Sequence, residues 1–389
     1  MPTLADVVDV LDRLYDPAWA QDWDSVGLVC GDPAAPVRKV LLAIDPVATT
    51  VEQALTVGAD LLLTHHPLLL RPVSSVAATT YKGRLLHRLI SGGVALHTAH
   101  TNADVAQPGV SDALADLVGL ADTRPLVPHP ADPLDKLVTF VPEARAAALV
   151  DALSAVGAGA LGDYSRCAWL ATGTGTFLPG PGAKPAVGRP GIVAELPETR
   201  IEMVVPRPLR VAVIRALLAA HPYQLPAYDI FELADLPSGR GFGRVGELTQ
   251  PTTLADFAGH VAQVLPATPA GIRVSGEPDR LVRTVAVAGG AGDDHLQDAQ
   301  RAGADVYLTA DLRHHRASEQ RERGGPALID APHWATEQPW LPDAAVRLRA
   351  ALGDTVETVV SDVVTDPWSL HLPTDPPAGP RPDRESTVP

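Results

Sequence analysis

The fold turns on Gly58-Ala59-Asp60-Leu61-Leu62-Leu63-Thr64-His65-His66-Pro67. A Gly-Ala turn feeds a short apolar run, and the run ends on two adjacent imidazoles before a proline. The apolar run reads as a strand over residues 60–64. Around it, residues 40–44 read as a buried strand and 94–98 as a further strand, with 51–57 and 82–90 as helices. Strands alternating with helices imply parallel pairing in β-α-β units. Upstream, Leu4, Val7, Val8, Val10, Leu11 and Leu14 have the spacing of an amphipathic helix with Thr3 as its N-cap.

The pattern returns near the C-terminus. Residues 284–288 and 305–309 read as strands flanking a helix at 293–301, and a helix at 312–320 leads to a strand at 327–330. Gly303-Ala304-Asp305-Val306-Tyr307-Leu308-Thr309 matches Gly58 to Thr64, each segment leading from a helix into a strand. The expected core is therefore α/β and duplicated, its two copies facing each other across one cleft. Between them lies a region of different character. It has strand-like runs at 137–141 and 200–205, a helix at 144–156, and a stretch from Thr172 to Gly182 too rich in Gly and Pro for a helix. The expected layout is 1–130 as the first half of the core and 131–248 as an inserted α+β domain. Residues 249–372 form the second half, with a helix at 254–264, and the polar, Pro-rich 373–389 a disordered tail.

Composition narrows the function classes. The 389 residues exceed one average domain and are 46% hydrophobic, ample for a core. A net charge of −15 argues against a broad nucleic-acid surface, which needs clustered Lys and Arg. Cys30 and Cys167 form no CxxC pair, so neither a disulfide framework nor a thiolate zinc site is supported. The chain opens without a basic, apolar leader, and no segment approaches the roughly 20 apolar residues of a membrane span. A soluble cytoplasmic protein is the expectation.

Metal-ligand side chains gather at three strand ends: His65-His66, His100-Thr101-Asn102-Ala103-Asp104, and His333-Trp334-Ala335-Thr336-Glu337. That edge of an open α/β sheet is where ligands bind. Adjacent side chains on extended backbone point apart, so His65 and His66 serve two ions or bracket them. His333 and Glu337 lie one turn apart on one helix face, and a carboxylate can bridge two ions. In the middle cluster either His100 or Asp104 could be the ligand, with Asp104 the better bridge and His100 the better orienting neighbour, and His97 a weaker candidate. Each segment alone has a plainer reading, as a turn before Pro67 or a hydrogen-bonded surface pair. Jointly they point to a metal site.

Other motifs are weaker. Thr309, Asp311, His314 and His315 read as cleft lining or a proton relay, or else as a helix N-cap at Asp311 with two surface histidines. Gly289-Gly290-Ala291-Gly292 reads first as a tight turn and second as a phosphate seat. His221-Pro222-Tyr223 and Tyr228-Asp229 read as structural. GKS/T loops, G-x-S-x-G elbows and H-E-x-x-H motifs are absent from the sequence.

At these residues the chain resembles the GTP cyclohydrolase 1 type 2 homolog family, Nif-three-like hexameric proteins with a dinuclear metal centre. The resemblance spans residues 3–370. It rests on Trp23-Asp24-Ser25-Val26-Gly27-Leu28, Thr64 to Pro67, His100 to Asp104, Asp305-Val306-Tyr307-Leu308-Thr309-Ala310-Asp311 and His333 to Glu337. The insert resembles the CutA/PII-like domain of longer bacterial members at Lys136-Leu137-Val138, Gly162-Asp163-Tyr164-Ser165, Gly173-Thr174-Gly175-Thr176-Phe177 and His221 to Asp229. What the resemblance implies is a homohexameric toroid with metal sites facing an internal cavity. Each subunit would hold two divalent ions, with Zn, Fe, Mn and Co all compatible with the donor set. By position, His65, Asp104 and Glu337 would serve one ion and His66, His333 and Glu337 the other, with Glu337 bridging. The implied activity is hydrolysis of a nucleotide, GTP, through metal-assisted attack of water on C8 of guanine and release of formate. His100 or His315 would move protons. The alternatives are a two-metal phosphoesterase and a non-enzymatic metal-binding or regulatory toroid. Ser25 stands where the family usually has Asn, Ala310 and Pro332 where it has Gly, and Gln224 where it has Glu; no proposed ligand is lost.

Overall fold

The structure, a computed structural model, describes residues 1–372, so the tail expected at 373–389 lies outside the described residues. The chain begins with α1 (Leu4–Leu14), β1 (Gly27–Cys30), β2 (Lys39–Ala43), α2 (Ala48–Thr56), β3 (Leu61–Thr64), α3 (Tyr81–Ser91) and β4 (Ala95–Thr98). Two short helices follow, α4 (Thr101–Val105) and α5 (Val110–Leu117), and then β5 (Leu120–Pro130). Thr3 caps α1 as expected: its hydroxyl accepts from the Asp6 N–H, and the Asp6 carboxylate accepts from the Thr3 N–H.

A central segment follows, comprising β6 (Leu134–Pro142), α6 (Ala146–Ser154), β7 (Trp169–Phe177), β8 (Ala194–Pro206), α7 (Arg210–Ala220) and β9 (Tyr228–Glu232). Beyond it come β10 (Pro237–Thr253), α8 (Leu254–Val264), β11 (Arg273–Ser275), β12 (Leu281–Ala291), α9 (Leu296–Arg301) and β13 (Val306–Ala310). The described chain closes with α10 (His314–Glu322), β14 (Ala327–Ala331), α11 (His333–Glu337), α12 (Trp340–Leu352) and β15 (Glu357–Val360). The architecture is mixed α/β with three sheets.

Among the described residues, 1–129 and 239–372 form one compact unit. Its first sheet runs β1-β4-β3-β2-β15, with β15, β2, β3 and β4 parallel and β1 antiparallel at the edge. Every residue of β3 is buried, because its alternate side chains feed two cores. Leu61 and Leu63 pack with α1 and α12, while Leu62 packs with α2 and α3. The second sheet runs β11-β14-β13-β12-β10-β5, with β12, β13 and β14 parallel and β11 antiparallel on β14. It too is covered on both faces, by α5 and α8 on one side and α9 on the other.

The two sheets repeat one set of contacts. Asp60 accepts from the Arg38 and Lys39 N–H groups at 2.7 and 3.1 Å, and Asp305 from those of Arg283 and Thr284, each at 2.9 Å. Each aspartate thus ties the start of its strand to the neighbouring one. Thr253-Leu254-Ala255-Asp256 repeats Thr3-Leu4-Ala5-Asp6, and Thr253 exchanges hydrogen bonds with Asp256 at the start of α8. Each half also ends its third parallel strand in a helix of five residues, α4 after β4 and α11 after β14.

Pro130–Ser238 is a second compact unit. Its elements run β-α-β-β-α-β, and its sheet runs β7-β8-β6-β9 with antiparallel neighbours, a split β-α-β order. Leu137, Val141, Leu149, Ile201, Met203, Val213 and Leu217 make its core. The Gly- and Thr-rich run at Thr172 to Phe177 lies on edge strand β7. His221 has a structural part: Nε2 lies 2.9 Å from the Phe140 carbonyl, and Nδ1 accepts from the Tyr223 N–H. The unit ends at Ser238, earlier than the 248 expected, because β10 belongs to the core sheet from Arg244 onward. There Arg244 to Glu247 pair with β12, and the buried Arg244 guanidinium donates to Asp112.

Among the described residues no helix is long and apolar enough to cross a membrane. Asp305→Ala removes an acceptor shared by two backbone N–H groups and should destabilise the core by about 1–3 kcal/mol. The exposed Asp279→Ala should stay within about 0.5 kcal/mol. Chemical denaturation followed by circular dichroism separates the two.

Candidate metal centre

Four imidazoles are each held by Nδ1. His65 Nδ1 lies 2.7 Å from the Ala99 carbonyl. A carbonyl can only accept, so Nδ1 carries the hydrogen and Nε2 of the neutral ring keeps its lone pair. His66 Nδ1 meets Asp45 Oδ1 at 2.8 Å, His100 Nδ1 meets Asp24 Oδ1 at 2.8 Å, and His333 Nδ1 meets Asp311 Oδ2 at 2.7 Å. An oxygen on the far ring nitrogen is how proteins aim an imidazole at a metal.

The free ring nitrogens of His65, His66 and His333 meet around Glu337, which is 3% exposed. Its Oε1 lies 2.9 Å from His333 Nε2 and 3.5 Å from His65 Nε2, and its Oε2 lies 3.2 Å from His66 Nε2. Asp104 Oδ1 stands 3.8 Å from His65 Nε2. Two groups have ligand atoms within 4.8 Å of one another: His66, His333 and Glu337, and His65, His66 and His100. His65 Nε2, Asp104 Oδ1 and Glu337 Oε2 are buried without a hydrogen-bond partner. Lone pairs facing lone pairs in a buried site are costly unless protons or cations stand between them. The mixed imidazole and carboxylate set suits divalent transition metals, so the residues present fit a metal centre.

Electrostatics give the same picture. Burial pushes the Glu337 carboxyl up, but His66, His333 and His65 around it hold it well below the usual range. Against the downward pull of burial, Glu337 and Asp45 push His66 up to about 10, and Glu337 and Asp311 push His333 up to about 11. Asp104 is raised, chiefly by burial. Burial would also raise Asp24, yet hydrogen bonds from His100 and Thr101 hold it well below the usual range.

The family model for Duf34/NIF3 (NGG1p interacting factor 3) matches residues 2–367. The chain belongs to this family. A Mycobacterium tuberculosis protein named GTP cyclohydrolase 1 type 2 homolog is 50% identical over 368 residues, covering 94% of this chain and 97% of that one. Among solved structures, a Bacillus cereus protein related to NIF3 is 34% identical with a TM-score of 0.79, over 95% of this chain and 99% of the other. The Staphylococcus aureus protein SA1388 is 27% identical with a TM-score of 0.80, over the same shares.

Within this NIF3-family chain, the strand ends bring together His65, His66, His100, Asp104, His333 and Glu337. His100 enters the ligand group itself as well as standing beside it. His315 does not join: it sits exposed on the first turn of α10, in a cleft shared with Asp294 and Arg316. His97 is buried on β4, with Nε2 3.9 Å from Asp12. Asp311 orients His333 and is not a helix cap, since Arg313 holds the N-cap position of α10. Its φ of +56° marks a strained turn placed for that contact.

The glycine run proves to be a close-approach device. Gly290 has φ +68°, and a Cβ there would lie 2.4 Å from Glu337 Oε1 and 3.1 Å from His333 Nε2. Sequence reasoning missed Asp24 and Asp45 as site residues. Asp45 follows the end of β2, so the strand-end rule that found the histidines could have found it. Asp24 lies in an irregular loop and carries no such signal.

Glu337→Gln should lower metal content at both positions, as read by elemental analysis; unchanged content would remove Glu337 from the bridging role. The pH dependence follows from the histidines. In the metal-free centre His66 and His333 keep protons up to about 10 and 11, above an unfolded value of about 6.5. The stability they lend that form is complete below about pH 6.5 and lost as pH rises through about 10–11. Metal competes with those protons, so affinity should rise with pH across the neutral range. Calorimetry in buffers of different ionisation enthalpy should show proton release on binding.

Proposed function

We propose that this chain is a dinuclear metal-dependent hydrolase acting on a nucleotide of the GTP type. The observation that carries the reading is the trio of buried lone-pair atoms, His65 Nε2, Asp104 Oδ1 and Glu337 Oε2. His65, Asp104 and Glu337 would hold one ion and His66, His333 and Glu337 the other, with the Glu337 carboxylate between them. Two such ions would supply Lewis-acid polarisation of an electrophile and activation of water.

The chain's own groups do the rest. Asp24 holds His100 Nδ1, leaving the other ring nitrogen for carrying a proton or joining the first ion. Asp45 and Asp311 hold the His66 and His333 rings so that Nε2 faces inward. Burial of His65, Asp104 and Glu337 lowers the local dielectric around their lone pairs and so strengthens their attraction for a cation.

Around this centre we read the repeated contacts of the two core sheets as a duplication. We read Pro130–Ser238 as a CutA/PII-like module, supported by its split β-α-β order. The expected assembly is a cytoplasmic homohexameric toroid, which sedimentation would test.

Metal-reconstituted protein incubated with GTP should yield formate and a ring-opened product by mass spectrometry, and Glu337→Gln should abolish both. Inorganic phosphate without formate would replace this reading with a phosphoesterase. Intact GTP would leave a metal-binding or regulatory protein.

A further inference from the structure

A cavity of about 660 Å³ opens beside His66 and His333, a volume suited to a nucleotide-sized ligand. Asp45 and Asp311, which orient those two histidines, also line it. Much of the remaining wall comes from the segment after β15, which contributes Thr365, Asp366, Pro367, Trp368, Leu370 and His371.

That segment is pinned to the centre. The Ser361 N–H donates to the Leu42 carbonyl at 2.8 Å, and the Gln53 amide donates to Asp362 at 2.6 Å. The Thr365 hydroxyl donates to Asp45 Oδ2, while Oδ1 of the same carboxylate holds His66. One aspartate therefore fixes both a candidate metal ligand and the wall of the cavity. Trp368, with its backbone N–H on Asp366, keeps 66% of its surface exposed, so packing has not used up its ring. Trp334 and Ile272 add further apolar lining.

Charge narrows the ligand. Four carboxylates line the cavity, but Asp45, Asp311 and Asp330 are paired with His66, His333 and Arg273. Phosphate recognition uses free Arg or Lys or a cradle of N–H groups, and the wall from Thr365 to His371 has neither Arg nor Lys, with Asp366 its one carboxylate. A flat, uncharged ring loses nothing to the carboxylates and stacks on indole.

We propose that residues 365–371 form the ring-binding wall of this cavity, and that this wall takes an uncharged planar heterocycle, a nucleobase or nucleoside, without itself reading phosphates. The proposal rests on the metal centre being the reaction site and names the part of the substrate that the protein recognises.

Calorimetric titration of the metal-loaded full-length protein with guanosine and with GTP tests it. Trp368→Ala should weaken guanosine and GTP by the same factor, about tenfold, while Trp368→Phe restores most of the affinity. Metal content of both variants, by elemental analysis, should match the parent and so report an intact fold. A loss for GTP that differs from the loss for guanosine by more than about threefold, unchanged affinity in Trp368→Ala, or no binding of either below about 1 mM would each overturn the proposal. Binding of this pattern without formate release would sink the hydrolase reading alone. Formate release from GTP that is indifferent to Trp368→Ala would sink the ring-binding wall alone.

Discussion

A carboxylate removed from water must be compensated on the spot, and Glu337 is such a group. Its two oxygens face the Nε2 atoms of His65, His66 and His333. This one contact ties the ends of β3, β12 and β14 to a common point, since Gly290 must lack a side chain for Glu337 to fit. A buried ionic cluster of this kind is poor evidence for stability, because desolvation opposes the attraction. Under the proposed metal reading it is a ligand set for cations, with protons taking their place when metal is absent.

The repeat explains how the ligands converge. Each half builds three parallel strands and then a five-residue helix, with a histidine at its N-terminal end (His100 as the N-cap of α4, His333 as the first residue of α11) and an acid four positions later. His100 with Asp104 comes from one half, and His333 with Glu337 from the other. The extra pair, His65 and His66, occurs after β3; the matching positions after β13 carry Ala310 and Asp311. Asp311 then turns to hold His333, so the second half contributes an orienting oxygen where the first contributes a ligand. Neither half alone completes the arrangement.

The same carboxylates link the centre to its surroundings. Asp45 joins His66 to the segment after β15, and Asp24 joins His100 to the turn into α4. Ring orientation and the shape of the neighbouring cavity therefore depend on shared hydrogen bonds. A change at one should be felt at the other, in the way that linked polar networks resist pairwise accounting.

Much of this was legible before any coordinates. Leu61 to Thr64 read as a strand from its short apolar run between helices, while its coverage on both faces came from packing against α1 and α12 on one side and α2 and α3 on the other. Placing His65-His66 past a strand end, and His333 with Glu337 on one helix face, needed periodicity alone. Other features were beyond the sequence. Spacing of four residues in His100 to Asp104 does not say which side chain turns inward, and the structure brings both. Asp24 stands 76 residues from His100, and its role depends on a loop with no period to read. The glycine run looked like a turn because its reason for being glycine, the nearness of Glu337 to Gly290, exists only once β12 and α11 are packed together. Local pattern settled the strands, helices and candidate ligands, since these follow from residues close in the chain. Which atoms face one another, and which carboxylate orients which ring, were decided by tertiary packing, because those distances join residues that the sequence keeps far apart.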